Sequence, residues 1–187
     1  MAETSGRLPL GTAMPEIRLK NAIDGSLVDV GANAAGKRGA IVMFICNHCP
    51  FVVHVRDELV RAAHEALDRG LAVVAINSND ALAYPQDGPE AMAALARTER
   101  WRFPFLFDET QEVARSMQAQ CTPELYVFGP EGKLVYHGQF DDSRPSNGKP
   151  VTGRDLRAAI NAVSLGEAPA ADQKPGVGCS IKWRRAS

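Results

Sequence analysis

Cys46 and Cys49, separated by two residues, form the pair whose type and spacing most directly suggest chemistry. Two thiols at this spacing can close a small disulfide ring with little movement, which suits reversible thiol–disulfide exchange. Pro50 disfavours helical angles at the residue before it and is best tolerated in the first turn of a helix. Cys49 is therefore expected at a helix amino terminus, where unpaired N–H groups favour a thiolate.

His48 lies between the two cysteines and is a candidate catalytic residue. Lowering a cysteine pKa from 8.5 to about 7 takes roughly 2 kcal/mol, of which an exposed helix terminus supplies only about 0.3–1 kcal/mol. A protonated imidazole next to either sulfur would supply part of the remainder. The plainer interpretation of His48 is a solvated loop residue.

The other two cysteines, Cys121 and Cys179, stand alone in the sequence. Cys-x-x-Cys is also half of a structural zinc site, but a second pair at the expected spacing is missing, so no metal site is predicted. If the carboxy-terminal tail folds back, Cys121 and Cys179 are candidate accessory thiols that pair with each other or accept the disulfide from the first pair. Cys121 also precedes Thr122 and Pro123, where a proline opening an interior strand is unusual unless the backbone needs a fixed, even cis, bond.

Composition sets limits on the class of protein that carries these thiols. The 187 residues are 45% hydrophobic and 23% charged, which excludes a disordered or fibrous chain and favours a single domain over 1–187. The net charge of -1 offers no bulk positive charge for nucleic acid, and the longest apolar runs are too short to cross a bilayer. No secretory signal and no glycine-rich nucleotide loop are found, so we expect a cytoplasmic protein with no organic cofactor and no nucleic-acid or membrane partner.

Hydrophobic periodicity predicts the elements that must position the cysteines. These elements are an amino-terminal hairpin (17–19 and 27–30), strand 40–45, a helix from 50 to 70, strand 71–76, a helix over 89–101, strand 103–107, a helix over 108–118, a hairpin (124–128 and 133–137) and a helix over 152–166. Strand, helix and strand with tight connections predict a parallel crossover unit. The fold class is therefore α/β, a central sheet of about five strands flanked by helices, with a helical insert and an irregular tail over 167–187.

Four segments together resemble the thioredoxin-like superfamily, and more narrowly the peroxiredoxin-like branch of the redoxin family, the alkyl hydroperoxide reductase and thiol-specific antioxidant group. The segments are 46–50, 122–123, 138–145 and 178–183, and the resemblance extends from about 14 to 183. It implies a thioredoxin fold with a mixed sheet and an antioxidant role. It also implies that Pro123 is a cis-proline facing the cysteine pair, that Thr122 and Pro123 help to hold a substrate disulfide, and that Cys121 lies near the site.

The sequence departs from both kinds of relative at the cysteine motif. Thioredoxin carries Gly-Pro between its cysteines and a buried carboxylate where this chain has Ala40, and peroxiredoxins carry a peroxide-binding Thr or Ser where it has Cys46. The missing hydroxyl favours disulfide exchange, with Cys46 attacking and Cys49 resolving, over a thiol peroxidase in which Cys49 meets the peroxide. A different class remains open, a non-catalytic binding module whose loop is held by zinc or a fixed disulfide.

The partners expected for an oxidoreductase of this kind follow from its chemistry. The oxidising substrates are protein or small-molecule disulfides, or hydroperoxides in the peroxidase interpretation. The electrons come from a reducing partner such as thioredoxin or glutathione.

Overall fold

The computed structural model describes residues 2–6 and 8–184, which form ten strands and five α-helices. The strands are β1 (Ala2–Thr4), β2 (Arg18–Asn21), β3 (Leu27–Asp29), β4 (Ala40–Phe44), β5 (Ala72–Asn77), β6 (Phe105–Phe107), β7 (Cys121–Thr122), β8 (Glu124–Phe128), β9 (Leu134–Gly138) and β10 (Val177–Ser180). The helices are α1 (Val30–Ala34), α2 (Pro50–Asp68), α3 (Pro89–Thr98), α4 (Glu112–Ser116) and α5 (Arg154–Ser164). None of the helices in these residues is long and apolar enough to cross a membrane.

A mixed sheet with the strand order β3-β2-β6-β5-β4-β8-β9 organises the chain. The five strands β6-β5-β4-β8-β9 are the predicted central sheet. The predicted amino-terminal hairpin, β2 and β3, extends this sheet to seven strands, because Lys20 in β2 pairs with Phe107 in β6. Strand β4 pairs parallel with β5 and antiparallel with β8, which confirms the predicted crossover unit. The predicted α/β class with helices against a mixed sheet is confirmed.

Both faces of β4 are buried, as its continuous apolar run predicts. Ile41 and Met43 face the core cluster that contains α2 and α5, while Val42 and Phe44 face the cluster beneath α1 and α4. This alternation follows from the two-residue repeat of a strand. The strand is thereby fixed between two packed layers, and its carboxyl end is held where the cysteine motif begins.

Helix α2 follows the cysteine motif and has a continuous apolar stripe. Its buried positions recur at three and four residues: Val52, Val55, Leu59, Ala62, Ala63 and Ala66. Burying a side chain such as Leu59, which is 1% exposed, stabilises the fold by about 1.5–3 kcal/mol. The helix ends before Gly70, whose φ of 84° suits a residue without a side chain. Packing of this stripe fixes the amino terminus of α2 against the end of β4.

The carboxy-terminal tail differs from the irregular segment predicted over 167–187. Strand β10 pairs antiparallel with β1 on one side and β7 on the other, giving a second sheet with the order β1-β10-β7. The prediction failed because the four residues of β10, Val-Gly-Cys-Ser, have no hydrophobic alternation, and its partner strands are far away in the sequence. Residues 185–187 at the end of this tail lie outside the described residues.

Candidate active site

Cys46 and Cys49 lie where β4 meets α2. Cys46 follows the end of β4, and Cys49 is the residue that caps the amino terminus of α2, with Pro50 in the first helical turn. The predicted position of Cys49 is confirmed. Both sulfurs are free thiols, and the two residues are only 2% and 1% exposed.

Thr122 and Pro123 lie directly beside the cysteine pair. The peptide bond between them is cis, as the resemblance implied. The Thr122 hydroxyl oxygen lies 3.5 Å from the Cys46 sulfur, and the Cys49 thiol donates to the Thr122 carbonyl oxygen over 3.1 Å. We call residues 120–123 the cis-proline loop. A single residue of this loop, Thr122, therefore contacts both sulfurs.

Cys179 also reaches this site, although 130 residues separate it from Cys49. In the pairing of β10 with β7, Cys179 lies opposite Thr122. Its side chain packs against the core cluster that contains Cys46 and Cys49, and Cys49 contributes to the raised pKa of its thiol. The structure thus brings three of the four cysteines together.

Cys121 lies apart from this group. Its sulfur is 3.6 Å from the Glu124 carboxylate, and its register partner in β10 is Ser180, not Cys179. Burial and the Glu124 charge raise the pKa of the Cys121 thiol well above its usual range, which keeps it protonated. Of the two predicted accessory thiols, only Cys179 contacts the pair, and no Cys121–Cys179 bond is formed.

The two cysteines of the motif differ in their electrostatic environment. Interaction with the neighbouring Cys46 thiol, with smaller contributions from Cys179, Thr122 and the backbone of Val52, outweighs burial and lowers the pKa of Cys49. The same interaction, burial and the Asp87 carboxylate raise the pKa of Cys46. A thiolate at Cys49 is also favoured by the amino terminus of a long helix.

The sequence predicts that Cys46 attacks a substrate disulfide and that Cys49 resolves it. The thiolate is the nucleophile in such chemistry, so the lower pKa of Cys49 favours the opposite order. Which thiol attacks stays a prediction. The sequence could not distinguish the two because the charge that acts on Cys46 comes from a residue remote in the chain.

That residue, Asp87, is the part of the site that sequence reasoning missed. It is fully buried and accepts hydrogen bonds from the Asn47 N–H and the Asn79 amide, at 2.9 and 2.8 Å. His48 Nδ1 lies 2.6 Å from its carboxylate, and the His48 ring stacks on Tyr84 at 5.5 Å. The sequence contains one signal for Asp87. It follows β5, and β5 lies parallel to β4, so the segments after both strands meet at the same edge of the sheet.

Cys46, His48 and Asp87 together are the nearest approach to a metal site in the described residues. Their ligand atoms lie within 4.8 Å of one another. Two ligands of a tetrahedral zinc ion, each bound at about 2.0 Å, are roughly 3.3 Å apart. The 2.6 Å between His48 Nδ1 and the Asp87 carboxylate is shorter than this, and fits an ion pair better than a ligand shell.

Glu124 holds the cis-proline loop through hydrogen bonds to the backbone of that loop. Its carboxylate accepts hydrogen bonds from the backbone N–H groups of Gly6, Gln120 and Cys121, from the Tyr126 hydroxyl and from His137, all within 3.0 Å. Burial raises the pKa of Glu124, but these donors, His137 foremost, bring it below its ordinary value. The loop that carries Thr122 is therefore fixed by a buried charge.

The comparison with known families agrees with this geometry. The Redoxin family model matches residues 9–154. The chain belongs to the Redoxin family. The match includes the cysteine motif and the cis-proline but not β10, and membership supports a redox role for the thiols.

Solved structures similar to this Redoxin protein show the same fold. An uncharacterized conserved protein from Geobacillus kaustophilus is 49% identical, with a TM-score of 0.96 over 100% of this chain and 98% of that chain. A hypothetical protein from Sinorhizobium meliloti 1021 is 44% identical, with a TM-score of 0.94 over 98% and 99%. The thioredoxin domain of a thiol-disulfide oxidoreductase from Bacteroides vulgatus is 16% identical, with a TM-score of 0.60 over 82% and 99%, so the fold is thioredoxin-like. No curated protein sequence matches this chain significantly.

Proposed function

We propose that this Redoxin protein is a thiol–disulfide oxidoreductase in which Cys46 and Cys49 cycle between dithiol and disulfide. The observation that carries the proposal is the contact of Thr122 with both free thiols where β4 meets α2, at 3.5 Å from the Cys46 sulfur and 3.1 Å from the Cys49 sulfur. One sulfur is held as the nucleophile, and the second is held beside it as a protonated thiol. This arrangement is what a two-step exchange reaction requires.

In the first step the Cys49 thiolate attacks a disulfide, forms a mixed disulfide with one half and releases the other half as a thiolate. In the second step Cys46 gives its proton to that thiolate and attacks the Cys49 sulfur. The Cys46–Cys49 disulfide forms, and the second half of the substrate leaves as a thiolate. A dithiol or glutathione-type reductant then returns two electrons and restores both thiols.

In this proposal Thr122, next to Pro123, positions the cysteine pair, and His48 acts electrostatically; that Thr122 and Pro123 hold a substrate disulfide stays a prediction. Thr122 contacts both sulfurs, so it can hold the pair in line for exchange. His48 pairs with Asp87, the carboxylate that raises the pKa of Cys46, and in its protonated form would offset that charge. The antioxidant role, the cytoplasmic location and the identity of the reductant stay predictions.

Thiol counting and disulfide mapping test the proposal. The reduced protein is treated with one equivalent of oxidised glutathione, and free thiols are alkylated before and after. We expect the four thiols of the chain to fall to two, a Cys46–Cys49 disulfide in non-reduced peptide maps, and full recovery with reductant. The Cys121→Ser protein is the matched control and should form the same bond. Stoichiometric zinc in the purified protein, or no Cys46–Cys49 bond, would contradict the proposal and favour a binding module.

A thiol peroxidase is the second candidate, and the burial of the sulfurs is the observation that favours it. With 1–2% exposure, both residues are more accessible to a small hydroperoxide than to a protein disulfide. The Cys49 thiolate would take one oxygen from the peroxide to become a sulfenic acid and release an alcohol or water. Cys46 would then condense with it, giving the same disulfide and one water.

The Cys46→Ser protein separates the two candidates, because it cannot resolve either intermediate with Cys46. Peroxide consumption with a sulfenic acid trapped at Cys49 by dimedone supports the peroxidase. Reaction with oxidised glutathione but not with hydrogen peroxide supports disulfide exchange.

A further inference from the structure

Strand β10 places a third thiol against the proposed redox pair. Cys179 packs against the core cluster that contains Cys46 and Cys49, and it lies opposite Thr122 in the β7 pairing. It is also the only one of the four cysteines that is half-buried, whereas the other three are buried. Any large partner that exchanges electrons with the buried pair therefore meets Cys179 before Cys46 or Cys49.

Close packing holds Cys179 in this position. A side chain at Gly178 would lie 2.0 Å from the Thr122 carbonyl oxygen, so β10 approaches the cis-proline loop as closely as glycine allows. On the other side, the Ile181 N–H donates to the Gln120 carbonyl over 2.9 Å, and the Asp80 N–H donates to the Lys182 carbonyl over 2.9 Å. The strand is anchored on both sides of Cys179, so the thiol is kept within reach of Cys49.

The strand also occupies the edge where the resemblance places a substrate. Thr122, which precedes Pro123, already has β10 as its backbone partner. A substrate polypeptide cannot pair with this edge without displacing β10. The sulfur beside the cis-proline loop therefore belongs to Cys179 of the same chain and not to a substrate.

We propose that Cys179 is a third redox thiol, which takes over the disulfide from the buried Cys46–Cys49 pair and presents it at the surface to a dithiol reductant of the thioredoxin type. The proposal rests on the proposed function of the pair. It adds a residue that lies outside the region matched by the family model, 9–154.

The transfer balances without a further oxidant. Cys179, as a thiolate, attacks the Cys49 sulfur of the Cys46–Cys49 disulfide, so that the Cys49–Cys179 bond forms and Cys46 leaves and takes up the proton. The reductant then attacks the half-buried Cys179 sulfur and releases Cys49. Its second thiol attacks the sulfur bound to Cys179, so the reductant leaves oxidised and Cys179 is again a thiol.

The acidities of Cys179 and Cys49 suit the exchange with the reductant, whereas the raised pKa of Cys46 slows its departure in the first step. Burial and contact with Cys49 raise the pKa of Cys179 to about 11, so its thiolate is scarce but strongly nucleophilic. The hydrogen bonds that lower the pKa of Cys49 make it the better leaving group when the reductant attacks. The Cys179 thiolate is scarce, but Cys179 and Cys49 belong to the same molecule. Reaction within one molecule raises the effective concentration of the Cys179 thiolate at Cys49, to ~10⁵ M in well-oriented cases.

Disulfide mapping of the Cys46→Ser protein tests the transfer. With limiting oxidised glutathione, Cys49 is first glutathionylated, and Cys179 should then displace the glutathione to give a Cys49–Cys179 bond. The Cys46→Ser, Cys121→Ser double variant is the control and should give the same bond. Glutathione that stays on Cys49 while Cys179 remains free would overturn the proposal.

The rate of reduction tests the role of Cys179 at the surface. In the Cys179→Ser protein, reduction of the Cys46–Cys49 disulfide by thioredoxin should slow by about tenfold or more, and reduction by dithiothreitol by less than about twofold. Equal slowing, or none, with the two reductants would contradict the proposal. If the wild-type protein forms no Cys46–Cys49 disulfide at all, the proposed function fails, which is a result distinct from failure of the transfer.

Discussion

At the scale of single residues, Cys46 and Cys49 differ in the charges and donors that surround their sulfurs. Cys46 faces the Asp87 carboxylate, which opposes a negative charge on Cys46, whereas the protonated Cys46 thiol stabilises a negative charge on Cys49. The Thr122 carbonyl, which accepts from the Cys49 thiol, favours the protonated form of Cys49 and works against this contrast. Because the interaction with Cys46 is the largest influence on the pKa of Cys49, a thiolate at Cys49 is the expected outcome.

Alkylation of Cys49 by iodoacetamide should therefore have a midpoint well below about 8.5, the ordinary pKa of a cysteine thiol. In the Cys46→Ala protein the Cys46 thiol is gone, and the midpoint should rise by about one unit or more, equivalent to at least 1.36 kcal/mol. Cys46→Ser keeps a hydroxyl donor and is the matched control, with a smaller rise. Mass spectrometry of the Cys49 peptide at each pH gives the readout. A wild-type midpoint at about 8.5 or above would show that Cys49 is not activated.

Two substitutions next to Cys46 should act in opposite directions. Asp87→Asn removes the buried charge that raises the pKa of Cys46, so this pKa should fall. His48→Ala removes the ion-pair partner of Asp87, so the pKa of the Cys46 thiol should rise. The Cys46–Cys49 disulfide should then become less oxidising. Equilibration with a glutathione buffer measures the potential, and alkylation in the Cys49→Ser background measures the Cys46 pKa. Shifts of the same sign in both variants would refute the charge pairing.

At the scale of elements, β4, α2 and β5 could be predicted because each has a hydrophobic repeat of its own. Strand β10 and Asp87 could not. Val-Gly-Cys-Ser has no repeat, and β10 exists only because β1 and β7 supply partners from distant parts of the chain. Asp87 is one acidic residue in a polar loop, and only the folded sheet shows that it lies next to Cys46. The thiols were thus predictable from spacing, and their unequal environment was not.

The close approach of β10 to β7 gives a prediction at this scale. Gly178→Ala should push β10 away from the Thr122 carbonyl and destabilise the protein by about 1–3 kcal/mol, because neither backbone can yield without loss of pairing. Gly176→Ala is the matched control, since its added carbon would meet atoms only at 3.6 Å or more. Urea denaturation measures both. Equal stability of the two variants would mean that β10 is not held tightly at Thr122.

At the scale of the whole molecule, Glu124 links the amino-terminal residues, the cis-proline loop and β9. Its folded pKa is below its ordinary value of 4.5, so its contribution to stability is present above that value and is lost as the pH falls through the folded pKa. Glu124→Gln should cost about 3 kcal/mol near neutral pH, and the difference from wild type should shrink below pH 4.5. Exposed Glu109→Gln is the control and should change stability by less than about 0.5 kcal/mol. A difference in stability between wild type and Glu124→Gln that does not change with pH would contradict a buried charge on Glu124.

The central claim is that Cys49 is the nucleophile of a Cys46–Cys49 redox pair, and one experiment tests it most directly. The Cys46→Ser and Cys49→Ser proteins, each with three thiols left, are treated briefly with equimolar oxidised glutathione, and the remaining thiols are counted by alkylation and intact mass. The proposed roles predict rapid loss of thiols in Cys46→Ser and no loss on that timescale in Cys49→Ser. Rapid oxidation of Cys49→Ser, with Cys46→Ser inert, would contradict the claim and restore Cys46 as the attacking thiol.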